Sequence, residues 1–104
     1  MKTTNNNLTL NLTQPDRPLP ESWHGAALVI VRTKVHPALK KLAENQSVTM
    51  VGDRVKSPRI EVKRLPAKSS PWLARVVMNA ETVIFVARRS LRVIHGGEAY
   101  YGTI

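Results

Sequence analysis

The sequence predicts an α+β fold: a small, mainly antiparallel sheet with one or two short helices. Three observations predict it. Short β-branched and aromatic runs recur between turn residues, the signature of several short strands. The connections between those runs are too short for repeated parallel crossovers. The longest apolar stretch, Pro71 to Ile94, changes period partway, from helical spacing to a continuous strand-like run. A small SH3-like or OB-like β-barrel is the alternative, should Pro71 to Ala80 be strand instead of helix.

The chain divides by composition. Residues 1–21 are rich in Thr and Asn with prolines at 15, 18 and 20, which predicts a flexible polar arm. Within it, Leu8, Leu10 and Leu12 alternate with polar residues and suggest an edge strand. Residues 22–104 form the expected single basic domain, close to the common domain size. Ala26 to Val31, AALVIV, reads as a central strand leaving the core at Arg32 and Lys34. Pro37 opens an expected helix, PALKKLAEN, with Leu39, Leu42 and Ala43 inward, Lys40, Lys41 and Glu44 outward, and Asn45 as its stop. Val48 to Val51 is a short strand, and Gly52-Asp53 a turn. Ile60 and Val62 alternate with charged residues, predicting a strand with one buried and one charged face.

Ser70 and Pro71 read as an N-cap and first helical residue, with Trp72, Leu73, Val76, Val77 and Ala80 on the apolar face of a helix. Trp72 is then a core residue. Thr82 to Ala87, TVIFVA, is the expected core strand, with Phe85 buried at its centre. Leu91 to Ile94 follows as another strand. His95-Gly96-Gly97-Glu98 is an expected hairpin turn returning through Tyr100 and Tyr101.

Charge is the strongest functional indication. Sixteen Lys and Arg stand against seven Asp and Glu, a formal net charge of +9. A field of that size attracts polyanions. Two clusters stand out. Six of the fifteen residues from Arg54 to Lys68 are cationic and one is acidic. Arg88, Arg89 and Arg92 fall within five residues at the end of the core strand. Arg54, Lys56, Arg59, Lys63, Arg64, Lys68, Arg88, Arg89 and Arg92 are therefore the expected phosphate contacts. Trp23, Tyr100 and Tyr101 are the rings available to stack on bases, Trp23 serving equally well as a cap on the core. No helix-turn-helix, zinc-finger or RNA-recognition spacing accompanies them.

Other chemistries have weaker footing. Cysteine is absent, which excludes disulfides and thiolate catalysis. His24, His36 and His95 lack metal-ligand spacing, so no metal or cofactor is expected. Arg88, Arg89, Arg92, His95, Tyr100 and Tyr101 have the chemistry of a small toxin-type ribonuclease. No paired carboxylates support it. A module that binds an acidic protein partner is a third class. The expected function is a nucleic-acid-binding regulator or accessory protein, of DNA or RNA, without catalysis. A homodimer is expected because the apolar strands outnumber what two short helices can cover. No run is long and apolar enough to span a membrane, and the polar start lacks a signal-peptide core, so a cytoplasmic location is expected.

Overall fold

The computed structural model describes residues 16–51 and 59–104. The Leu8 to Leu12 strand, the Gly52-Asp53 turn, Arg54 and Lys56 lie outside the described residues.

The fold is α+β, as the sequence predicts: one helical stretch against a seven-stranded, mostly antiparallel open sheet. The strands are β1 (Arg17–Pro18), β2 (Ser47–Val51), β3 (Arg59–Arg64), β4 (Ala74–Val77), β5 (Thr82–Val86), β6 (Ser90–His95) and β7 (Glu98–Thr103). Strands β2 to β7 form a simple antiparallel meander, and β1 adds in parallel to the outer edge of β7. The sheet does not close into a barrel, although Ala74 to Val77 is strand and not helix.

The topology demands a long connection. Strand β1 lies at one edge and β2 at the other, six strand intervals away. At about 4.8 Å per interval the sheet is roughly 29 Å wide. The helical residues from Glu21 to Leu39, at 1.5 Å each, supply about 28 Å. The helix thus carries the chain from edge to edge. It comprises α1 (Glu21–Ile30), a wider π-type turn over Val31–Val35, and α2 (His36–Leu39), with right-handed dihedrals at each junction. Pro37 explains the wide turn. It has no N–H, and its ring would clash with the carbonyl four residues back in a regular α-helix.

The core lies between helix and sheet. Ala27, Val31, Val35 and Ala38 form the buried helix stripe, at spacings of four, four and three. Ile60, Val62, Ala74, Val76, Ile84, Val86, Leu91 and Val93 come from alternate strand positions.

Several expectations are corrected here. Ala26 to Val31 is helical, not a strand, and Val29 in its middle is 59% exposed. A continuous apolar run does not reveal its own period. The helix predicted from Pro37 ends at Leu39. Leu39 and Leu42 do pack on the core, whereas Ala43 is exposed. Asn45 stops the segment with a left-handed φ of 67°. The helix predicted over Pro71 to Ala80 is absent. A cis Ser70–Pro71 bond leads into β4, where Ala74 and Val76 are buried in strict alternation. Phe85 is half-buried, because Ile84 and Val86 take the core side of β5. Trp72 is also half-buried and packs against Phe85, ring centroids 6.0 Å apart. The hairpin stands as predicted, with Gly96 and Gly97 at φ of 57° and 80°, conformations that suit glycine.

Candidate nucleic-acid interface

The sheet face away from the helix carries a continuous row of side chains across five strands. Lys63 on β3 pairs with Arg75 on β4, Arg75 with Phe85 on β5, Phe85 with Arg92 on β6, and Arg92 with Tyr101 on β7. Directly opposed residues share a face, so two adjacent cations, a ring, a third cation and a second ring lie along one line. The next row along the strands is mostly apolar: Glu61, Val77, Val83, Ile94 and Ala99.

Arg75 is not among the contacts expected from the sequence, because it falls in neither cationic cluster. In the sheet it joins the two clusters, since β4 lies between β3 and β5. Lys63 and Arg75 are directly opposed like charges, an arrangement that destabilises a sheet. Among the described residues neither forms an ion pair, and the buried Nε of Arg75 has no hydrogen-bond partner. Arg92 is differently placed. Its Nε lies 2.9 Å from Asp16 Oδ2, and its Nη2 donates to Asp16 Oδ1 at 3.2 Å. Asp16 thereby ties the segment before β1 to the open face. Tyr101, at the end of the row, is 50% exposed. Arg59 begins β3 on this same face and is exposed.

The remaining sequence candidates scatter. Arg64 turns to the helix side, where Nη1 donates to the carbonyls of Leu39 and Leu42 at 2.8 and 3.3 Å. It caps the helix C-terminus, where carbonyls lack helical partners. Lys68 is exposed in a 3-10 turn, Ala67–Ser69, and Arg88 and Arg89 are exposed in the β5–β6 turn. Arg64 and Arg88 face a groove of about 630 Å³, with Trp72, Leu73, Pro71 and Glu44 among its walls. Trp72 links that groove to Phe85 on the open face.

Trp23 and Tyr100 do not join Tyr101. Trp23 on α1 packs edge-on against His95 and Tyr100, centroids 5.4 and 5.2 Å apart, on the helix side of the sheet. His95 Nδ1 pairs with Thr82 Oγ1 at 2.7 Å. The six residues grouped by ribonuclease chemistry therefore divide. His95 and Tyr100 lie on the helix side, Arg92 and Tyr101 on the open face, and Arg88 and Arg89 in a turn. They do not converge on one reacting atom. Between Trp23, Ile30, Met78, Ile84, Val93 and His95 lies an apolar crevice of about 340 Å³. His24 binds the Thr103 carbonyl and so anchors the C-terminal strand to α1. Among the described residues, no three His, Asp or Glu side chains cluster as a metal ion would require.

No helix among the described residues is long and apolar enough to cross a membrane. No family model, curated protein or solved structure matches the chain. The site's meaning therefore rests on its own chemistry.

Proposed function

We propose that this is a small nucleic-acid-binding protein, regulatory or accessory in role and non-catalytic, that grips phosphates through the open face of its sheet. The observation that carries this reading is the opposed Lys63–Arg75 pair, which no carboxylate among the described residues pairs with, in a chain of formal charge +9. Bringing like charges face to face costs stability, and a bound anion offsets that cost. A phosphate backbone supplies such anions at regular intervals, with counterion release driving association. Arg59 lies on the same face, and Arg88 and Arg89, exposed in the β5–β6 turn, are further candidates for phosphate contact.

The test is a binding titration at several salt concentrations. Lys63→Ala with Arg75→Ala, and separately Arg88→Ala with Arg89→Ala, should weaken binding while the protein stays folded. Each lost phosphate contact should flatten the logarithmic salt dependence by about 0.9 on duplex DNA, or about 0.7 on single strands. A wild-type protein without nucleic-acid affinity at about 0.15 M salt, where exposed charges are screened beyond roughly 8 Å, would overturn the proposal. The basic face would then need an acidic protein partner.

A further inference from the structure

We infer that the open face is a platform for single-stranded nucleic acid, on which unpaired bases stack at Phe85 and Tyr101 while Lys63 and Arg75 hold the backbone. This rests on the phosphate-binding reading above and adds the form of nucleic acid that the same face takes.

The argument begins with spacing. Phe85 and Tyr101 sit in one cross-sheet row, with Arg92 between them. Two strand intervals separate them by about 10 Å. Stacked bases rise only about 3.4 Å per step. Rings set about 10 Å apart therefore suit bases splayed away from one another. A single strand can present its base faces in that way, whereas a duplex keeps them inside its stack. The aromatic stations are also reinforced. Trp72 packs beside Phe85, and Tyr101 stands half exposed at the row's end. Duplex readout asks for something else: a helix or two-stranded ribbon that enters the major groove. Among the described residues the helical stretch lies on the opposite side of the sheet, and its stripe of Ala27, Val31, Val35 and Ala38 is committed to the core. The open face is a broad sheet surface, which favours stacking over groove insertion.

The test uses the full chain and fluorescently labelled oligothymidylate and oligouridylate of about a dozen nucleotides, within the usual range of single-strand site sizes. Duplex DNA and duplex RNA of the same length are the comparison arms, all at about 0.15 M salt. The single strands should bind about tenfold or more tightly than the duplexes, a comparison that needs no variant. Tyr101→Ala should weaken single-strand binding by about 5- to 140-fold, the loss that follows removal of one stacked base. Tyr101→Phe keeps the ring and should keep the affinity. Thermal melts of both variants establish that they fold. The two single-strand arms tell DNA from RNA.

Equal affinity for single and double strands would overturn the platform while leaving the phosphate-binding reading intact. So would a single-strand preference that survives Tyr101→Ala undiminished, or an equal loss in Tyr101→Phe. Absence of binding to every oligonucleotide would overturn both.

Discussion

The two faces of the sheet are built from alternate residues of the same strands, yet they have opposite characters. On β4, Ala74 and Val76 are buried against the helix while Arg75 and Val77 look the other way. On β5, Ile84 and Val86 are buried while Phe85 stands half-exposed beside Arg75 and Arg92. On β6, Leu91 and Val93 are buried while Arg92 reaches Asp16. The buried centre of the covered face is aliphatic, which lets a helix pack against it. The open face mixes cations, rings and an apolar row. The contrast places the buried core on one side and the proposed phosphate-binding surface on the other.

That contrast can be broken most sharply at Leu91, which is 1% exposed. Leu91→Ala should cost about 2–5 kcal/mol through lost burial and a cavity, and urea unfolding would measure it. Phe85→Ala should cost less, about 1–2 kcal/mol, because only part of the ring leaves water on folding. A larger loss at Phe85 than at Leu91 would mean that the open face is the true core.

Arg64 sharpens the comparison differently, since it belongs to a cationic cluster but reaches to the helix side. Arg64→Ala should lower stability by about 1 kcal/mol as the Leu39 and Leu42 carbonyls lose their donor. Its effect on the salt dependence of nucleic-acid binding should be slight. An unchanged melting temperature together with a flattened salt slope would return Arg64 to the phosphate-binding set. The smallest effect is expected at Arg88 and Arg89. Both are exposed, and each replacement by alanine should alter stability by less than about 0.5 kcal/mol. Thermal denaturation of the double variant checks this, and a clear loss would show that the β5–β6 turn depends on them.

Much of the architecture was legible in the residues. Ile60 and Val62 between charges marked β3, TVIFVA marked β5, and His95-Gly96-Gly97-Glu98 marked the last hairpin. These signals are local: period-two alternation and glycines suited to positive φ declare themselves within a few residues. The failures share a cause. AALVIV contains no polar residue to reveal a period, so its helical form follows from the need to cross the sheet from edge to edge. Pro71 to Ala80 has spacing that fits a helix, but its pairing with β3 and β5 made it a strand.

The candidate site was legible only as composition. The net charge and the cationic clusters are properties of the chain, and they predicted an anionic partner before any fold was known. Which cations share a surface is a matter of register between strands. Arg75 entered the row because β4 lies between β3 and β5, and Arg64 left it because position 64 falls on the helix side of β3. Tyr100 and Tyr101 are neighbours in sequence but lie on opposite faces, since successive strand residues alternate. By itself the sequence determined the strands β2, β3, β5 and β6, the last hairpin and the sign of the electric field. The tertiary structure decided which face the helix covers. Burial is a long-range outcome of packing, and a one-residue change of register would exchange the two faces entirely.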